Sequence, residues 1–367
     1  MTDKGCIQDL FFALIRCSVG TADKLPYAPS KEEWSSLYEL AKKQALQGVT
    51  FAAIEKLPEE QRPNVEILLP WYKNCEIIKK KNAELTKKAI LISKKFQEEG
   101  FKNCILKGQG IAQYYHNPDL RVSGDIDIWL EGDCDRIIKY IKDISPNSRP
   151  MYQHIDFHIY DDIEIETHYR PSWLCNPFYN KKIQLFFKET AENQFDNTIA
   201  TNYGDLHTPS IPFNVVYIQM HIFRHLFDEG IGFRQIMDYY YLLKQKPNEQ
   251  EKEKCIGILK EIGQIEFTRA LMYIMKEVFD ITDDYLLTEP DKKYGMFLLN
   301  EIMLAGNLGQ YDMRYKQSKR GFSFTRLFIW TRRFMQLIVY SPNEAIWDPY
   351  FKIRHFFWRL QKNKKFK

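Results

Sequence analysis

The chain has 367 residues, 44% of them hydrophobic, 27% charged and 15% aromatic, enough to bury ordinary cores; with 17 Gly and 16 Pro it is neither collagen-like nor low-complexity. The formal charge of +4 hides an asymmetry: from Met313 onward, 14 Lys and Arg face only Glu344 and Asp348, a net of +12 that leaves −8 on the remainder. Seven cysteines without CxxC spacing fit neither a disulfide framework nor a thiolate zinc site, no leader-type cleavage site follows the first apolar run, and no apolar stretch reaches spanning length, so a cytoplasmic chain without a transmembrane segment is expected.

Ile7, Leu10, Phe11, Leu14 and Ile15 recur on one helical face. Ser30 before Lys31-Glu32-Glu33 reads as an N-cap, and the apolar pattern continues through Trp34, Leu37, Leu40, Ala41 and Ala45. A longer helix is expected over residues 65–99, ending at Gly100. Residues 1–100 therefore read as a helical region. After Gly100 the period changes to two. A short apolar run occupies residues 102–107; Ile126, Ile128 and Leu130 then alternate with Asp125, Asp127 and Trp129. Ile155, Phe157 and Ile159 alternate with His154, Asp156 and His158, and Ile163 and Ile165 with Glu164 and Glu166, across an Asp161-Asp162 turn. A sheet with helical connections is thus expected within a core of residues 101–205, followed by a helical region over 206–367. The class is α+β.

Asp125 and Asp127 stand at i and i+2 of one strand, so their side chains leave the same face about 6–7 Å apart at Cα. Two carboxylates on a half-buried strand repel each other unless a cation intervenes, and Mg²⁺ commonly bridges such a pair to substrate phosphates. Upstream, Lys107-Gly108-Gln109-Gly110 forms a glycine turn between a strand and a helix-like stretch, suited to exposing backbone N–H groups to phosphate. Glu166 lies on a later strand, with Glu164 on the same face as a competing third acid, and Arg121 lies in the turn between the glycines and Asp125.

The run LKGQGIAQYYHNPDLRVSGDIDIWL, followed by IEIETHYRP, resembles the DNA polymerase β-type nucleotidyltransferase superfamily, and within it a bacterial group of uncharacterised nucleotidyltransferases. Gln109 replaces the serine usual in that superfamily's strand-turn-helix, and the loop to Asp125 is longer. The resemblance implies a small mixed sheet flanked by helical regions and a metal-dependent transfer of a nucleoside monophosphate from an NTP, ATP foremost, to a hydroxyl acceptor. It implies Asp125, Asp127 and Glu166 as catalytic metal ligands for two Mg²⁺ ions, with Mn²⁺ as a substitute. Lys107, Gly108, Gln109 and Arg121 would then contact the nucleotide. Its counterpart is a nucleotide- or RNA-binding module of the same fold with little turnover.

His221 and His225 share a helix face at i, i+4 without a zincin's Glu, and read as core or cleft histidines. Arg224, His225, Arg234 and Asp238 are candidate substrate contacts, with Arg234 and Asp238 spaced as an i, i+4 pair. His168 is the candidate support for the metal ligands; His154, Asp156 and His158 read as a solvated edge strand, with support of the same ligands as the alternative. Basic residues interleave with aromatics toward the C-terminus. Helices over 323–340 and 343–360 are expected to pack on the acidic body, leaving residues 361–367 free to meet nucleic acid.

Overall fold

The computed structural model describes residues 6–314 and 324–366. Its first four helices are α1 (Ile7–Val19), α2 (Lys31–Lys43), α3 (Gln47–Ile54) and α4 (Val65–Glu98). Their ends follow local chemistry. Ser30 Oγ accepts the Glu33 N–H at 3.2 Å while the Glu33 carboxylate accepts the Ser30 N–H at 2.7 Å, a reciprocal cap on α2. Gly100 takes φ +77°, which lets the Phe101 N–H reach back to the Phe96 carbonyl at 2.8 Å and turns the chain into the sheet.

The next elements are β1 (Asn103–Leu106), α5 (Gly108–Ala112), β2 (Ile126–Leu130), α6 (Cys134–Ile144), β3 (His154–Asp156) and β4 (Ile165–His168). The strands lie in the order β1-β2-β4-β3. β2 and β4 run parallel, and the two outer pairings are antiparallel. The fold is α+β with a small mixed sheet, as expected.

Period-two alternation divides the sheet's side chains between two cores. Ile105, Ile126, Ile128, Leu130, Ile155 and Ile165 pack with Leu85, Ala89, Ile92 and Phe96 of α4 and with Ile137, Ile138 and Ile141 of α6. Cys104, Leu106 and Trp129 face the other way and join the larger core; Trp129 lies 4.7 Å from the Phe195 ring and 5.5 Å from Phe213. Asp127, Glu166 and His168 share this second face, toward the C-terminal helices.

Those helices follow α7 (Pro177–Phe195) and the hairpin β5 (Thr198–Thr201) and β6 (Gly204–His207). They are α8 (Ile211–Asp228), α9 (Phe233–Lys244), α10 (Glu249–Glu261), α11 (Ile265–Phe279), α12 (Lys292–Ala305), α13 (Phe324–Tyr340), α14 (Pro342–Ala345) and α15 (Asp348–Lys365). Phe233 of α9 meets Phe11 and Phe12 of α1 edge-on, at 6.2 and 5.8 Å, so α8–α12 and α1–α3 share apolar packing. Among the described residues no helix is long and apolar enough to cross a membrane.

The basic end corrects an expectation. Instead of standing free from residue 361, the chain continues α15 to Lys365, and Lys362 and Lys365 both pair with Asp135. The attraction has a local cause: Asp133 and Asp135 sit in the cap and first turn of α6, an acidic helix start that the basic helix reaches. That basic stretch also includes Phe324, Arg326, Phe328, Trp330 and Arg332, whose side chains lie outside the described residues.

Candidate active site

The strand-to-helix turn after β1 begins at Lys107, whose backbone holds φ +52° and ψ −140°, a conformation that costs a non-glycine residue about 1–3 kcal/mol. Its Nζ lies 2.7 Å from Asp127 Oδ1. Burial works against the Lys107 charge, but Asp127 and the neighbouring acids outweigh it and hold the ammonium above its ordinary range. Gln109 behaves differently from the nucleotide contact that the sequence suggests. It is buried, its Nε2 donates to the Asp125 carbonyl at 3.2 Å, and its Oε1 has no partner. The side chain braces the loop beneath Asp125, and only its neighbours Lys107 and Gly108 line the cleft.

The parallel pairing of β2 and β4 sets Asp127 directly beside Glu166, Cα to Cα. Asp125 immediately precedes β2 and lines the same cleft. Glu164 is exposed, outside the β4 span, and contributes its carbonyl to Ile126 N–H at 3.0 Å; of the two competing glutamates, Glu166 faces Asp127. His168 joins the acids, with Nε2 2.9 Å from Asp127 Oδ1 and 3.2 Å from Glu166 Oε2. Burial would neutralise His168, but its bonds to these carboxylates push its pKa up to about 9. Burial also opposes the charge on Glu166, yet His168, His154 and Lys107 hold it well below the usual carboxylate range.

His154 overturns the solvated-edge expectation. Although β3 is an edge strand, His154 is paired across from His168 and is only 12% exposed at its side chain. Burial lowers its pKa. The signal was in the sequence: HID and ETH alternate in phase, so antiparallel pairing brings both histidines to one face. Asp156 stands in the same register beside Glu166, while His158 is exposed.

The acids open onto a cleft of ≈ 380 Å³. Two of its arginines differ from expectation. Arg121, expected on phosphate, is 4% exposed and committed to Asp238 through Nε at 2.7 Å and Nη2 at 2.6 Å, with Nη1 on Ser123 Oγ at 2.9 Å. Asp238 also accepts the Tyr115 hydroxyl at 2.6 Å, so the expected Arg234–Asp238 pair is replaced. A desolvated carboxylate gains more from a bidentate guanidinium than from a helical neighbour. Arg234 instead lines the cleft; its Nη1 donates to the Val122 carbonyl at 3.1 Å and its Nε has no partner. Burial, and then Arg121, lower its pKa.

Arg224 lies against Asp228 at 2.7 Å and over the Trp173 ring at 4.6 Å. His225 Nδ1 is 3.2 Å from Glu229, and its ring meets His221 edge-on at 4.3 Å. Burial and Lys107 keep His221 far below its ordinary pKa. Arg224, His225, Arg234 and Asp238 all line the cleft, as do His221 and Phe351, Lys352 and His355 of α15, the last three with no role suggested by the sequence. Phe351 stacks on Trp173 at 6.0 Å and 21°. Only the fold joins residues so distant in the chain; α15 taken alone reads as one more aromatic basic helix.

Comparison with known proteins gives one family match. The family model described as "Uncharacterised nucleotidyltransferase" matches residues 30–280, more than half of the chain. No curated protein matches. The chain is also similar to the crystal structure of an antigenic nucleotidyltransferase-like protein from Paracoccidioides brasiliensis, at 11% identity and a TM-score of 0.34, covering 57% of this chain and 96% of that one. That likeness is too low to carry an argument.

Proposed function

From the premise that this chain belongs to the uncharacterised nucleotidyltransferase family, with nucleotidyl transfer as its general role, we propose a polymerase β-type reaction. A nucleoside monophosphate moves from an NTP, ATP foremost, to a hydroxyl acceptor, and pyrophosphate leaves. The observation that carries this reading is the rung shared by Asp127 and Glu166 on parallel strands, with Asp125 beside it and cations at hand.

The donor set fits hard divalent ions, Mg²⁺ or Mn²⁺. Three carboxylates line one cleft, and the charges now balancing them, Lys107 and His168, are ones that an incoming cation can replace. Asp125 and Asp127 would hold one ion on the triphosphate; Asp127 with Glu166 would hold the second near the acceptor. Such ions, when bound, stabilise the charge on attacking and leaving oxygens. The chain supplies the rest. Lys107 offers a point charge to phosphate once released from Asp127. Arg234, whose guanidinium is less committed than that of Arg121, takes the phosphate role that the sequence suggests for Arg121. Arg121 keeps the loop before Asp125 in place through Asp238. In this reading residues 101–205 carry the chemistry, and the helices on either side, α8, α9 and α15, shape the acceptor side of the cleft.

The test is pyrophosphate release from each labelled NTP with Mg²⁺ or Mn²⁺ and a pool of candidate hydroxyl acceptors, RNA ends included. Asp125→Ala/Asp127→Ala is the control. Release that depends on both acids supports transfer. A second reading, a nucleotide- or RNA-binding module with little turnover, is favoured by the neutralisation of Asp127 by Lys107 and His168 alone; it predicts tight nucleotide binding with no release.

A further inference from the structure

Two imidazoles converge on one carboxylate at the edge of the cleft. His154 Nδ1 lies 3.3 Å from Glu166 Oε2, and His168 Nε2 lies 3.2 Å from the same oxygen. The three side chains each offer one ligand atom within 4.8 Å of the others. The His154 Nδ1 is buried and makes no hydrogen bond, despite its closeness to Glu166. A buried ring nitrogen without a partner is costly and points to a ligand that the chain itself does not supply.

The outer nitrogens strengthen the case. His154 Nε2 faces Asp156 Oδ1 at 3.5 Å, and His168 Nδ1 faces the Arg170 carbonyl at 3.3 Å. Each ring therefore has an oxygen behind it to keep a proton on the outer nitrogen; the inner nitrogen of His154 then presents a lone pair, and that of His168 does so once an arriving cation displaces its Nε2 proton. This is the arrangement that fixes the tautomer and orientation of metal-bound histidines. Register explains how it arises: β3 and β4 pair His154 with His168 and Asp156 with Glu166, so both histidines and both acids leave one face of the sheet.

We propose that His154, His168 and Glu166 form a cation site selective for a first-row transition-metal dication over Mg²⁺. Two imidazole nitrogens and one carboxylate suit Co²⁺, Ni²⁺ or Zn²⁺, whereas Mg²⁺ prefers an all-oxygen shell. Three protein ligands leave positions open toward the cleft that Asp127 lines and that a substrate would enter. The inference rests on the reading of this cleft as a metal-dependent transfer site and revises the second ion there: Asp125 and Asp127 suit a hard ion arriving with the nucleotide, while Glu166, instead of sharing a hard ion with Asp127, joins the two histidines around an ion resident on the protein.

The test uses the full-length protein, stripped with a chelator and titrated with Co²⁺ in the presence of excess Mg²⁺ without nucleotide. Visible absorption of the bound cobalt reports nitrogen ligation and gives affinity without any assay of turnover. The expected result is saturable Co²⁺ binding that Mg²⁺ does not reverse. His154→Gln should weaken it about a hundredfold and Asp156→Asn about tenfold, while Asp125→Asn should leave the cobalt spectrum in place. Asp156 is half exposed, so its variant reports on the site even where the histidine variant folds poorly. Failure of Co²⁺ to bind in the presence of excess Mg²⁺, or wild-type affinity in both the His154 and Asp156 variants, overturns the proposal. If pyrophosphate release with Mg²⁺ persists in that event, the transfer reading stands alone. Intact cobalt binding without release from any NTP would uphold this site and remove the transfer reading.

Discussion

Arg121 and Asp238, 117 residues apart, form a doubly hydrogen-bonded ion pair at 2.7 and 2.6 Å, with side chains only 4% and 6% exposed. The pair joins the loop that leads into Asp125 to helix α9. A buried pair is costly to break, because removing one partner strands the other's charge away from water. Asp238→Asn or Arg121→Ala is expected to cost about 3–5 kcal/mol of stability, and the double variant less than the sum of the two. Denaturant unfolding measures this. Losses below about 1 kcal/mol for each single variant would show that the pair does not hold the loop.

Arg234 should behave in the opposite way. Its Nε has no partner and its Nη1 reaches only the Val122 carbonyl, at 3.1 Å, so Arg234→Ala removes little from the free protein. A charge-assisted bond to phosphate is worth about 1.5–3 kcal/mol, which converts to a loss of roughly tenfold to hundredfold in affinity for the triphosphate. Isothermal titration with a non-hydrolysable NTP and Mg²⁺ reads it. Unchanged affinity with an unchanged melting temperature would remove Arg234 from the phosphate site.

The contrast between these arginines shows what the sequence can and cannot convey. Helix ends were readable because their causes are local: Ser30 meets Glu33 three residues on, and Gly100 turns its own chain. The acids were readable because Asp125-Ile126-Asp127 declares its period within a few residues. Nothing near Arg121 announces Asp238, since that pairing depends on how α9 packs over the sheet. The burial of His154 escapes a local reading for a related reason. An edge strand is solvated only where nothing covers it, and here Glu166 and His168 of the paired strand take up the ring. The cleft-facing residues of α15 carry no periodic mark that separates them from ordinary aromatic packing.

Gly110 was readable only as part of a glycine turn for phosphate; its packing suggests an additional role. A Cβ there would meet Thr208 Oγ1 at 2.3 Å and Thr208 Cβ at 3.0 Å, where α5 crosses the segment after β6. Gly110→Ala is therefore expected to destabilise by about 1–3 kcal/mol through overpacking, and Thr208→Gly in the same chain should recover most of it. Melting temperatures of the single and double variants decide the point. Failure of the Thr208 change to rescue would mean that the backbone at Gly110, rather than this contact, sets the requirement.

His355 provides a pH dependence. It sits on α15 beside Tyr152, Phe351 and Trp358, at ring distances of 6.1, 5.7 and 6.0 Å; burial, and then Arg359, lower its pKa from 6.5 to about 4, while Asp228 pulls the other way. Between those two values the unfolded chain holds a proton on this residue that the folded chain refuses. Folding stability must therefore rise with pH across the interval. Its contribution is whole above about pH 6.5, declines as the solution is acidified, and is spent once pH falls below about 4. Other groups titrate in the same range, so the measurement is a difference: melting temperature against pH for the wild type and for His355→Gln, with tryptophan fluorescence following α15 beside Trp358. The variant is expected to show a shallower acid limb and to keep α15 docked at lower pH. Identical slopes in the two proteins would mean that His355 takes up its proton without leaving its aromatic neighbours.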